Sequence, residues 1–187
     1  MLFKTLISTV VATTSVLAAP LESRTEKYFT PSVIWHYSVS NGAISAATSG
    51  EVYKDVANHG QDVTTLLTFR YPEQAEGLQC QFAFYVDDTV GLSGSKKLDL
   101  FTSYNPAPGP TTGWGPGNQR NVPLGRLSLE PNSFATWDAT YDCFLTEKTP
   151  CKPHGTIEAF ELVGVNDNDV VTWNPANGAG PRIVYSS

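Results

Sequence analysis

The sequence predicts an all-β domain, an antiparallel β-sandwich of Greek-key or jelly-roll kind, reached after a cleaved signal peptide. Three observations carry this reading. Short segments rich in β-branched and aromatic residues recur from Val33 to the C-terminus. Gly, Pro, Asn and Asp clusters separate them. No stretch sustains a 3.6-residue apolar period. A sandwich is preferred to a barrel because the Pro-rich connection over 105–118 suits a Greek-key crossing better than a meander.

The N-terminus reads as an export signal. Lys4 supplies a positive start, residues 6–19 are uncharged, and Val16 and Ala18 place small residues at the −3 and −1 positions of a cut after Ala18. The apolar run is roughly 14 residues, short of the ~20 needed to span a bilayer. Residues 1–18 are thus the signal peptide, 19–30 a loose polar tail, and 31–187 one β-sandwich domain.

The strands follow in order. Residues 33–39, VIWHYSV, are β-branched and aromatic, and residues 63–71 end at Pro72. Residues 78–86, LQCQFAFYV, give the clearest alternation: Leu78, Cys80, Phe82, Phe84 and Val86 share one face, Gln79, Gln81, Ala83 and Tyr85 the other. Residues 97–102, 124–129, 156–165, 170–173 and 182–185 complete the set. Breakers fall at 91–94, read as part of a hairpin loop, and at 105–118, 130–132, 166–168 and 174–181.

Charge and cysteine content bound the function. The net charge is −6, and loss of Lys4 with the signal deepens it by one. Such a chain does not favour nucleic acid or an anionic membrane. The expected location is extracellular or in a cell wall. The route is oxidising, so the three cysteines, Cys80, Cys143 and Cys151, allow at most one intramolecular bridge. Histidines and cysteines lack zinc-site spacing, and no cofactor or metal is expected.

Several segments together resemble a known family: LLTFRYP (66–72), CQFAFY (80–85), LDLFTS (98–103), WGPGNQRNVPLGRL (114–127), ELVGVNDNDVVTW (161–173) and GPRIVY (180–185). They are similar to secreted fungal proteins of the "ubiquitin 3 binding protein But" C-terminal domain family, over about residues 60–185. The resemblance implies a β-rich secreted domain and brings no catalytic residues with it. The binding implied by the family's name concerns an intracellular protein, so it is not carried over to an exported chain. The resemblance also implies the pairing of Cys80 with Cys151, leaving Cys143 over.

Candidate chemistry is sparse. Gly91, Ser93 and Gly94 lack the spacing of a nucleophile elbow. Glu158 and Glu161 are three apart on an expected strand, so they face opposite ways and do not form a glycosidase pair. Residues 166–169, NDND, read as a turn, with calcium as the competing reading. Trp114 sits among glycines and prolines: it is either a platform for a sugar ring or a pin folded back on the sheet. Tyr104, at the start of the same loop, offers a second platform. Arg120 offers a carboxylate grip, or satisfies neighbouring polar groups. Trp35, Trp137 and Trp173 read as core or edge packing. The function expected is non-enzymatic binding of a wall glycan or an extracellular protein. A carbohydrate-active enzyme, with carboxylates assembled only by the fold, and a purely structural wall component are the alternatives.

Overall fold

The computed structural model describes residues 27–114 and 119–187. The expected signal peptide and the first part of the expected tail lie outside the described residues. Among the described residues fifteen strands run in chain order: β1 Lys27–Phe29, β2 Val33–Ser38, β3 Ile44–Ala47, β4 Gly50–Asp55, β5 Val63–Arg70, β6 Gln79–Val86, β7 Gly91–Gly94, β8 Lys97–Ser103, β9 Arg120–Ser128, β10 Ser133–Phe134, β11 Thr136–Thr140, β12 Thr149–Pro150, β13 Ile157–Gly164, β14 Asn168–Trp173 and β15 Gly180–Ser186. They form two sheets. The smaller has the order β1-β15-β6-β10, with β12 also on β6. The larger, which curls, has the order β11-β9-β8-β13-β5-β4-β14-β7, with β2 on β5 and β3 on β2. The pairings are antiparallel, and the architecture is an all-β sandwich.

The alternation of β6 becomes the small sheet's inner face. Cys80, Phe82, Phe84 and Val86 are buried, and their neighbours on the strand are half-buried. They meet Leu67 and Phe69 of β5, Leu98 and Leu100 of β8, Phe160 and Leu162 of β13, and Trp173 of β14. Phe84 meets the Trp173 ring edge-on at 5.2 Å, and Phe69 meets Phe160 at 5.7 Å. Burial of such rings is the main term holding the sheets together. Trp173 fits only because two strands carry glycine beside it. A Cβ on Gly50 would stand 1.9 Å from its indole, and one on Gly180 2.2 Å. A disulfide, Cys80–Cys151, ties the core strand β6 to the turn after β12.

Two expectations are corrected. Residues 27–29 belong to a strand, not to a loose tail. Lys27–Phe29 pair with β15, and Phe29 packs on Tyr71 and Phe69, with ring centroids 5.3 and 6.0 Å apart. Apolar burial therefore anchors the chain earlier than its polar composition suggests. Residues 91–94 are not a hairpin loop but strand β7 on β14. Its glycines reflect close approach: a Cβ on Gly91 would lie 2.4 Å from Thr172 Oγ1, and one on Gly94 2.0 Å from the carbonyl oxygen of Asn168.

Of the expected turn at 166–169, only residues 166 and 167 form the bend, since Asn168 and Asp169 already belong to β14, and one carboxylate organises it. Asp169 is fully buried. It accepts from Ser95 Oγ at 2.6 Å, from the Val165 amide at 3.0 Å and from the Asn166 amide at 3.2 Å. These oxygens are engaged in holding the β13–β14 connection to β7 and β8. No cluster of three or more metal-ligating side chains occurs among the described residues. No helix among them is long and apolar enough to cross a membrane.

Candidate functional site

The long connection between β8 and β9 crosses the outer face of the large sheet. It leaves after Ser103 and returns at Gln119. Its base is closed by the Tyr104 amide donating to the Gln119 carbonyl at 2.9 Å and by Asn105 Nδ2 donating to Gln119 Oε1 at 2.6 Å. Its middle reaches β3, where Thr111 and Ile44 exchange two backbone hydrogen bonds, of 2.9 and 3.2 Å. Thr111 Oγ1 also accepts from the Ile44 amide at 3.0 Å. Between β8 and β3 lie β13, β5 and β2, so the loop spans about four strand spacings, on the order of 19 Å along the sheet.

This loop explains a second, smaller core. Tyr37, Ile44 and Leu66 are buried on the outer face, with Trp35 and Ala107 packed beside them. Alternation on β5 and β13 puts Leu66, Ala159 and Glu161 on that face, opposite Leu67, Phe160 and Leu162. The loop makes an outer sheet face into an interior.

Trp114 is 69 % exposed and Tyr104 72 %. The indole of Trp114 rests on Gly42, where a Cβ would come within 2.9 Å of its ring. The anchor of the loop is therefore the Thr111–Ile44 bridge with Ala107, and the greater part of the indole faces solvent.

Arg120, the first residue of β9, is placed beside Glu161. Its Nε donates to Glu161 Oε2 at 2.9 Å and its Nη2 to Oε1 at 2.8 Å. Thr64 Oγ1 donates to Oε1 at 2.7 Å. The guanidinium stacks over Phe101, 4.7 Å from the ring centroid. Glu161 is 0 % exposed, and its hydrogen bonds hold the already high pKa of Arg120 higher still. The fork expected to grip a ligand carboxylate is thus bonded to one within the protein. Beside it, Arg126 donates to Asp99 at 2.8 and 3.0 Å, and Lys97 donates to Asp138.

Glu158 projects from the opposite face of β13 and accepts from the buried Tyr71 hydroxyl at 2.7 Å. Burial raises its pKa, against the opposing effects of that bond and of Lys152. Burial, then the neighbouring carboxylate, raises that of Tyr71. Glu158 and Glu161 therefore stand on different faces of one strand, each in its own hydrogen-bonded setting. The structure joins Arg120 to Glu161, whereas Trp114 and Tyr104 are exposed at different points of the loop. Sequence reasoning did not find Thr64, whose only signal is a hydroxyl on the outer face of an apolar strand. No protein-family model and no curated protein matches the chain.

Proposed function

We propose that this is a secreted, non-enzymatic β-sandwich domain that binds a cell-wall or surface glycan on an aromatic platform at Trp114, with Tyr104 as a separate exposed ring at the base of the same loop. One observation carries the reading: the loop is held down by a backbone bridge, leaving the indole of Trp114 exposed on a fixed support. A large ring presented in this way offers its face to the apolar C–H face of a pyranose. Preorganisation of the support lowers the ordering cost of binding. Export rests on the pattern of residues 1–18 and is compatible with the disulfide. Membership of the But C-terminal domain family remains part of this proposal, on the segments that resemble it.

The non-enzymatic reading rests on the state of the carboxylates. Glycoside hydrolysis uses two, about 5–9.5 Å apart across one substrate. Here Glu161 is clamped by Arg120 and Thr64, Asp99 by Arg126, and Glu158 faces away.

Retention on insoluble wall fractions and on a panel of immobilised glycans tests the proposal. The wild-type chain is expected to be retained by at least one glycan, and Trp114→Ala and Tyr104→Ala to weaken that retention. Absence of retention by any glycan or wall fraction overturns the glycan reading. Capture of an extracellular protein with Trp114 indifferent transfers the function to a protein partner.

A further inference from the structure

We propose that the ligand of the Trp114 platform is a neutral polysaccharide, stacked on the indole and hydrogen-bonded by Asn41 of the adjoining β2–β3 turn. The inference rests on the glycan reading above and narrows it to a class of polymer. The indole lies against that turn: a Cβ on Gly42 would come within 2.9 Å of it, and Asn41 is the next residue, about 3.8 Å along the backbone. Gly42 is buried at this contact, whereas Ser40 and Asn41 are exposed. Asn41 Oδ1 accepts from the Ala43 amide at 2.9 Å. That bond fixes which end of the side-chain amide is the oxygen, and Nδ2 has no partner among the described residues. It stands as a hydrogen-bond donor beside the ring. The Ser38 and Ser40 hydroxyls, 3.2 Å apart, add donor and acceptor capacity.

Loop and turn are bonded into one surface. Thr111 and Ile44 exchange backbone hydrogen bonds, and the Thr111 hydroxyl donates to the Gly42 carbonyl at 3.4 Å while accepting from the Ile44 amide at 3.0 Å. Within the turn, the Gly42 amide donates to the Ser38 carbonyl and the Ser38 amide to the Ala43 carbonyl, each at 2.9 Å. Trp114 closely follows Thr111 and Asn41 closely precedes Ile44, so ring and amide are positioned together before a ligand arrives. A pyranose that lays its C–H face on the indole presents its hydroxyls at the rim, where Asn41 and Ser40 supply partners. Preorganisation of both parts lowers the ordering cost of binding.

Composition selects a neutral ligand. Residues 38–49 of the hairpin and 104–119 of the loop contain no charged residue and no histidine, in a chain that is 16% charged. The charges bordering them are engaged. Arg120 is bonded to Glu161. The Asp62 carbonyl accepts from the Val39 amide, but its carboxylate accepts from Asn58 Nδ2 at 3.0 Å and from the Asp55 amide at 3.4 Å. His36 alternates with Trp35 and Tyr37 of the outer face, so it lies on the opposite side of β2, bonded to the Ser49 carbonyl at 2.9 Å and 3.9 Å from Glu51. An anionic polymer finds no cation in either segment and a net charge of −6 against it. A cationic polymer finds no carboxylate in either. An uncharged chain of hydroxyls needs only a ring face and a few placed neutral polar groups.

Surface plasmon resonance on an immobilised β-glucan, a mannan, polygalacturonate and a glucosamine polymer, at about 0.05 and about 0.5 M salt, tests it with the chain recovered from a secretory host. Wild type is expected to bind at least one of the two neutral polymers with an affinity that salt leaves unchanged. Trp114→Ala should weaken that binding about tenfold or more. Asn41→Asp should weaken it about fivefold, because it keeps the oxygen that accepts from Ala43 and removes the Nδ2 donor. An unchanged melting midpoint checks that the turn survives, and the salt and polymer arms need no variant at all. Trp114-dependent binding to polygalacturonate or the glucosamine polymer, with neither neutral polymer bound, overturns the inference and leaves the glycan platform standing. Neutral binding that is indifferent to Asn41→Asp, or that falls steeply with salt, overturns it equally. Binding to none of the four overturns it too, and the glycan reading itself falls only if wall fractions and the wider panel also fail to retain the chain.

Discussion

Replacing Arg120 with alanine isolates the most consequential polar contact in the fold. Glu161 is fully buried and receives two hydrogen bonds from the guanidinium and one from Thr64. Removing one partner of a buried pair leaves an uncompensated charge and typically costs about 3–5 kcal/mol. Here the Arg120 side chain is 37 % exposed, so water screens one side of the pair. The expected loss falls at the lower end, about 3 kcal/mol, with loss of the stacking on Phe101 included. Urea unfolding of Arg120→Ala, Glu161→Gln and the double variant measures it. Glu161→Gln removes the charge and should cost less than Arg120→Ala. Adding Glu161→Gln to Arg120→Ala should restore part of the loss, because the carboxylate is then no longer stranded. Arg120→Ala within about 0.5 kcal/mol of wild type, or strictly additive single effects, refutes the reasoning.

Three further outcomes follow from the same contacts. Cys151→Ser opens a cross-link of 71 residues and should cost about 4 kcal/mol in the chain-entropy treatment, whereas Cys143→Ser should leave the urea midpoint unchanged. Gly50→Ala forces a methyl group against the Trp173 indole and should destabilise by about 3 kcal/mol, read as a lowered melting midpoint, with Trp173→Phe in the same background recovering part of it. Glu158 has a raised folded-state pKa, so its contribution is fully present below its unfolded pKa and is lost as pH rises through the folded one. Glu158→Gln should therefore gain on wild type as pH rises from 4 to 7, and a stability difference that is flat in pH contradicts the raised pKa.

The strands that could be read were those whose alternation the core enforces. Residues 78–86 keep apolar side chains at every second position because one face of β6 meets the opposite sheet. Glycine signals a turn at 91–94, but Gly91 lies in a strand because Thr172 occupies the space of a Cβ, a reason supplied by a distant residue. The early strand at Lys27 was hidden by polar neighbours, although Phe29 fills an aromatic cluster.

The candidate sites divide in the same way. Trp114 was legible because an aromatic among glycines and prolines is conspicuous within a few residues. The Arg120–Glu161 clamp spans 41 positions, and the Trp114 indole rests on Gly42 of a distant hairpin, beside Asn41. Contacts set by strand order carry no periodic trace, so they were invisible before the sheets were known.

The claim that Trp114 is a platform and not a pin is tested most directly by Trp114→Ala, measured for glycan affinity and thermal stability in one preparation. About a third of the side chain is covered, which at about 25 cal/mol per Å2 stabilises the fold by at most about 2 kcal/mol. The account predicts loss of glycan binding with a stability change within that bound. A loss of 3–5 kcal/mol, the range for a fully buried tryptophan, or binding that survives the substitution in a folded protein, would contradict it.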